Sequence, residues 1–277
     1  MAARLSEALR TAVRPLVFGM IHLRALPGTP MHRHPLQEIF RIARAEAEIY
    51  RDANVDGIIV ENMYDIPYVQ ASAVGPEITA SMTRICAELF YMFKNSNPRP
   101  LLGVQVLAGA NQEALAVAHT TGFDFIRAEG FVFTHVADEG LMNACAGQLL
   151  RYRKTIGADG VGILADIKKK HCSHSITADL SLVDIAEAAE FFLADGLVVT
   201  GSATGRPANP ADLSVVKSHS KLPVMVGSGV TINNVEEFAD ADALIVGSHF
   251  KDNGQWDGEL DAKKVTAFMN KVKALRR

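Results

Sequence analysis

Asp166-Ile-Lys168-Lys169-Lys170-His171 sets a carboxylate, three ammonium groups and an imidazole within six residues. Side chains alternate along an extended strand, so Asp166, Lys168 and Lys170 are expected on one side. A carboxylate beside an ammonium keeps the lysine charged and able to stabilise an enolate. A dry setting instead lowers the lysine pKa towards proton transfer or Schiff-base chemistry. Asp166 ends the apolar run Val161-Gly-Ile-Leu-Ala165, which makes Asp166 and Lys168 catalytic candidates and leaves Lys169 to a solvated loop. His22 and Glu61 each close another apolar run and have acid–base chemistry suited to neutral pH. Asn62, Gln105, Arg127, His171 and Thr200 occupy similar places and are read as substrate-orienting groups, with an ion pair to Glu129 or Glu61 an equal use for Arg127. His22, Glu61 and Asp166 could instead share a divalent ion. No His/Cys set has the spacing of a closed tetrahedral site, so neither a resident metal nor a cofactor is assigned.

A second chemistry needs no reactive side chain. Gly227-Ser228-Gly229-Val-Thr231 and Gly247-Ser248 follow consecutive apolar runs, and Gly201 follows a third. Small residues let backbone N–H groups approach a phosphate, and a helix start favours the anion. The expected ligand is therefore a small phosphorylated molecule.

These residues gain meaning from the elements that carry them. Eight short apolar or β-branched runs start near residues 16, 57, 101, 123, 161, 196, 223 and 243. Runs apolar on both faces are the mark of a parallel sheet covered by helices. Stretches with helical period lie between them, at about 39–51, 76–95, 111–121, 138–156, 180–193, 210–218, 232–239 and 261–274, with Asp138, Asp179, Asn209 and Thr231 as candidate caps. Eight such units predict a single α/β domain, a (β/α)₈ TIM barrel over 15–277 with residues 1–14 as an N-terminal extension. An open doubly wound sheet is the competing arrangement, but no run has the polar character of an edge strand. A barrel gathers the strand ends, and so every candidate above, at one rim.

Composition narrows the classes further. The chain has 277 residues, 48% of them hydrophobic, and a formal charge of −3, which gives no basic field for nucleic acid. No apolar stretch is long enough to span a membrane. Three widely spaced cysteines suit a reducing, cytoplasmic setting, and self-association is left open. Arg4, Arg10 and Arg14, with Leu5, Leu9 and Val13 near a helical period, give a mitochondrial presequence as the alternative, although Glu7 weighs against it.

Five segments carry a family likeness. Gly19-Met-Ile-His22-Leu-Arg-Ala-Leu26-Pro27-Gly28-Thr-Pro30, Val60-Glu61-Asn62-Met-Tyr-Asp65-Ile-Pro67 and Thr200-Gly201-Ser-Ala-Thr204-Gly205 resemble the BtpA/SgcQ family. So do Gly227-Ser-Gly-Val-Thr231 and Val246-Gly-Ser248-His-Phe250-Lys251, and the likeness runs in order from residue 16 to about 270. The resemblance implies a barrel of the ribulose-phosphate-binding type, and more about fold than reaction. Its namesake is associated with photosystem I biogenesis, which sets an assembly factor for a larger complex beside an enzyme of lyase, aldolase or isomerase type. Asp166-Ile-Lys168 is also similar to the Asp-x-Lys-x-x-Asp strand of phosphosugar decarboxylases. His171 stands where their second aspartate would be, which argues against that reaction.

Overall fold

The apolar runs pair edge to edge until the sheet has no edge left. The computed structural model describes residues 3–13, 15–201 and 206–275. Its strands are β1 (Leu16–His22), β2 (Gly57–Glu61), β3 (Leu101–Gln105), β4 (Phe125–Ala128), β5 (His135–Ala137), β6 (Gly140–Met142), β7 (Gly162–Ile167), β8 (Cys172–Ser173), β9 (Gly196–Val199), β10 (Val224–Val226) and β11 (Ala243–Val246). Eight of them close a parallel barrel in the order β1-β2-β3-β4-β7-β9-β10-β11 and back to β1. The helices are α1 (Ala3–Thr11), α2 (Leu36–Asp52), α3 (Pro76–Phe93), α4 (Asn111–Thr121), α5 (Ala146–Thr155), α6 (Leu182–Phe191), α7 (Pro210–His219) and α8 (Ala262–Leu275). The chain folds as the TIM barrel its pattern predicts. Among the described residues no helix is long and apolar enough to cross a membrane.

Period two divides the strand residues between two cores. Phe18, Met20, Ile59, Leu101, Phe125, Leu164, Val198, Met225 and Ile245 fill the barrel, where the Phe18 and Phe125 rings lie 5.5 Å apart. Val17, Ile21, Ile58, Val60, Val104, Ile126 and Ile163 face the helices. Gly103 makes room inside, since a Cβ there would stand 2.2 Å from the Phe125 ring.

The lower rim is held by one device used four times. Asp56, Asp124, Asp195 and Asp242 each precede a strand and accept the backbone N–H of Val17, Leu102, Ile163 or Val224 on the strand before, at 2.7–3.0 Å. A carboxylate accepting a buried N–H satisfies a donor that the barrel's stagger leaves over. Cations then hold three of these acids: Arg4 and Arg99 on Asp124, Arg153 on Asp195, and Lys217 on Asp242.

Three local expectations need correction. The stretch 138–156 is not one helix: β6 takes its first part, and only Ala146–Thr155 is helical, so Asp138 caps nothing. β5, β6 and β8 form a small antiparallel sheet above the rim, with Ala137 opposite Cys172. The stretch 232–239 forms only a 3₁₀ turn, Val235–Phe238. There the Asn234 side chain accepts from the Thr231 N–H and hydroxyl, a local turn that competes with helix. At α6 the cap is Ser181, boxed with Asp184, and not Asp179; Asn209 caps α7 as expected.

Residues 3–11 are not a detached extension. α1 buries Leu5 and Leu9 against Leu16, Phe18, Leu101 and Phe125 and so closes the barrel floor. Arg14 lies outside the described residues.

Candidate active site

Strand register assembles the upper rim. His22 pairs with Glu61, and Glu61 with Gln105, so three polar strand ends stand side by side. The His22 Nε2 lies 3.6 Å from a Glu61 carboxylate oxygen, and its Nδ1 is 3.0 Å from the Trp256 carbonyl. A carbonyl only accepts, so Nδ1 carries the proton and Nε2 presents a lone pair towards Glu61. Burial, with Lys251 next, pulls the His22 pKa down to about 3. Burial pushes Glu61 above the usual carboxylate range, against the opposing pull of Arg127. The site therefore favours a neutral imidazole and shifts Glu61 towards its protonated form.

The sign of the resulting pH effect follows. Unfolded His22 takes a proton near its ordinary pKa of 6.5, whereas the folded side chain refuses it until about 3. This contribution is intact above 6.5 and is lost as pH falls between those values. Relative to His22→Gln, the wild-type protein should lose on the order of a few kcal/mol across that window. Urea denaturation of both proteins at several pH values measures it. Parallel profiles would show that His22 titrates normally.

Asp166 is committed to Arg127. Its two oxygens accept from Arg127 Nε at 2.8 Å and from Nη2 at 2.9 Å, and both side chains are almost wholly buried. Burial alone would weaken the Arg127 charge, but Asp166 overrides it and holds the guanidinium cationic. Among the described residues no three His, Cys, Asp or Glu side chains converge as metal ligands, so His22, Glu61 and Asp166 do not form the trio that their strand positions suggest.

The lysines separate. β7 ends at Ile167, and Lys168 adopts φ +49°, which breaks the alternation and leaves its side chain exposed. Lys169 bonds Glu129 at 3.0 Å. Lys170 turns into the mouth, where burial and then Arg127 pull its pKa below the ordinary value. Of the three lysines Lys170 alone borders the space between the glycine loops, and no sequence signal distinguishes it from its neighbours.

The expected orienting groups also divide. Asn62 spends its amide on Asp65 at 2.9 Å and on the Leu107 N–H at 2.7 Å, so it braces two loops. Gln105 donates to Glu129 at 3.2 Å, while its buried Oε1 has no partner. His171 lines the mouth from an exposed position at φ +56°. Thr200 stands apart from both cavities, 3.5 Å from the Lys168 carbonyl. Ser202, Ala203, Thr204 and Gly205 of the Thr-Gly-x-x-Thr-Gly segment lie outside the described residues.

The glycine loops meet. Gly227–Thr231 and Gly247–His249 line one cavity of about 130 Å³ together with His22, Glu61, Arg127 and Lys170. Gly229 combines φ +67° with Pro207 packed so close that a Cβ would lie 2.2 Å away. Ser228 contributes backbone, because its hydroxyl accepts from the Gly201 N–H at 2.6 Å and donates to the Arg206 carbonyl at 3.0 Å. His249, not singled out from sequence, ties the loops together by accepting the Ile232 N–H at 3.2 Å. A larger chamber of about 390 Å³ adjoins, walled by Tyr68, Leu107, Gln105 and Trp256. Glu61, Met63, Arg127 and Lys170 border both spaces.

Known proteins give this chain a family. The BtpA family model matches residues 13–274. A Caenorhabditis elegans protein whose name places it in the mitochondrion is 49% identical over 269 residues, 97% of each chain. The photosystem I biogenesis protein BtpA of Synechocystis is 34% identical over 91% of this chain and 86% of its own. Among solved structures, thiamine phosphate pyrophosphorylase from Pyrococcus furiosus superposes with a TM-score of 0.56 at 14% identity, covering 94% of this chain and 96% of its own. N-(5′-phosphoribosyl)anthranilate isomerase from the same organism gives 0.55 at 16%, covering 94% and 100%. At those identities the likeness shows the barrel alone. The family model and these relatives run nearly end to end, and the chain belongs to the BtpA family.

Proposed function

We propose that this protein is an enzyme acting on a small phosphorylated metabolite, a sugar phosphate or nucleotide-derived sugar, by lyase, aldolase or isomerase chemistry. One observation carries the reading. Two small-residue loops after adjacent strands border the same cavity as His22, Glu61, Arg127 and Lys170. Backbone N–H groups of 227–231 and 247–249 take the phosphate, which is the position such barrels favour. Glu61 supplies a proton, His22 Nε2 accepts one, and Arg127, held cationic by Asp166, stabilises an enolate-like charge. The phosphorylated ligands named for both solved neighbours agree with this assignment.

Thermal unfolding in inorganic phosphate, against chloride at matched ionic strength, tests the phosphate seat. A ligand at a hundred times its Kd adds about 2.7 kcal/mol of stability. Ser248→Asp, which sets a carboxylate at the seat, should abolish that gain while unfolding normally in chloride. If neither phosphate nor any phosphorylated compound stabilises the protein, the assembly-factor reading stands instead, in keeping with the name of the Synechocystis relative. For the compartment, the name of the C. elegans relative favours the mitochondrion over the cytoplasm.

A further inference from the structure

The acid–base roles above leave one partly buried cation at the mouth unused. Lys170 borders both the anion-sized cavity and the larger chamber, so the residue stands at their junction, beside the space open to the carbon skeleton of a phosphorylated ligand. Of the three carboxylates that act on it, two are already engaged, and the third, Glu61, faces the His22 ring at 3.6 Å. Both oxygens of Asp166 are bonded to Arg127, and Glu129 accepts from Lys169, Gln105 and the Gly109 N–H. Among the described residues Lys170 takes part in no ion pair. Burial and then the permanent cation Arg127 disfavour a second ammonium in the same space, and together they outweigh the opposing pull of Glu61, Asp166 and Glu129. A partly desolvated lysine beside another cation is a better nucleophile, because more of it is an amine with an available lone pair.

We propose that Lys170 forms a Schiff base with the carbonyl carbon of a phosphorylated aldehyde or ketone, whose phosphate lies between the Gly227–Thr231 and Gly247–His249 loops. The proposal rests on the phosphate reading above and narrows its substrate to carbonyl compounds. The neutral amine attacks the carbonyl carbon, a C–N bond forms, and the C=O π pair moves to oxygen, which takes the Glu61 proton. Nitrogen returns a proton to the Glu61 carboxylate. The hydroxyl then leaves with that proton as water, C=N replaces C–O, and the iminium nitrogen returns its proton to the Glu61 carboxylate. Amine and carbonyl become imine and water, with no oxidant or reductant required.

Reductive trapping tests this. The full chain is incubated with glycolaldehyde phosphate and sodium cyanoborohydride, whose hydride fixes an imine as a secondary amine, and the adduct is mapped by peptide mass spectrometry. The expected result is an adduct on Lys170 that inorganic phosphate suppresses and that unphosphorylated glycolaldehyde does not reproduce. Lys170→Met should lose it, and Lys168→Met, altered at an exposed side chain, should keep it. If Lys170→Met does not fold, wild-type mapping and phosphate competition decide alone. Phosphate stabilisation without any Lys170 adduct would overturn the Schiff base and leave the phosphate reading intact. A Lys170 adduct indifferent to phosphate, in a protein that phosphate does not stabilise, would overturn both.

Discussion

Arg127→Met should destabilise the protein by about 3–5 kcal/mol, the cost of stranding one member of a buried ion pair. The Asp166 side chain is 1% exposed and receives two hydrogen bonds from a guanidinium that is itself 4% exposed. Without Arg127, Asp166 must remain charged in the barrel or take up a proton, and either is costly. Arg127→Met/Asp166→Leu should recover most of that loss, because an apolar pair of similar volume needs no desolvation of charge. Urea denaturation of the three proteins measures this, and a single variant within about 0.5 kcal/mol of wild type would show the pair to be dispensable. The double variant also separates structure from function. If it folds stably, the cation at the junction of the two cavities is gone while the glycine loops remain. Phosphate should still stabilise it, less than wild type, and turnover of any substrate that passes through an anionic intermediate should fall.

The barrel is legible in the sequence because its strands are apolar on both faces; the aspartates that the fold sets before four of them, Asp56, Asp124, Asp195 and Asp242, are a further mark that the sequence carries. Strand ends therefore located the rim, and His22, Glu61, Arg127 and the two glycine loops do meet there. The partners of these groups were not legible. Asp166 and Arg127 are 39 residues apart, and only the pairing of β4 with β7 makes them neighbours. The choice among Lys168, Lys169 and Lys170 depends on a single positive φ at Lys168, which no residue type announces. The group that fixes the His22 tautomer is the backbone carbonyl of Trp256, which carries no side-chain signal. After β10, Asn234 spends its side chain on Thr231, so the last turn of backbone contracts where the hydrophobic pattern called for helix.

Leu5→Ala and Leu9→Ala should each cost about 2–5 kcal/mol, as for any leucine deleted from a packed core. Both are buried, 0% and 1% exposed, among the side chains that fill the barrel from below. Helix propensity works against a loss, since alanine is the better helix former, so any destabilisation comes from the cavity. The two sites are one turn apart and share neighbours, so the double variant should depart from the sum. Glu7→Ala, on the exposed face of the same helix, should stay within about 0.5 kcal/mol of wild type. Denaturant midpoints for the four proteins measure this, and leucine variants as stable as Glu7→Ala would refute it. The result bears on the presequence alternative. A targeting segment that is removed must be dispensable to the folded protein, whereas α1 supplies the apolar surface that keeps water from Leu16, Phe18, Leu101 and Phe125. Deleting residues 1–11 should therefore lower the unfolding midpoint at least as far as either leucine variant. The rim, separated from α1 by the side chains stacked inside the barrel, should keep its response to phosphate in whatever fraction remains folded.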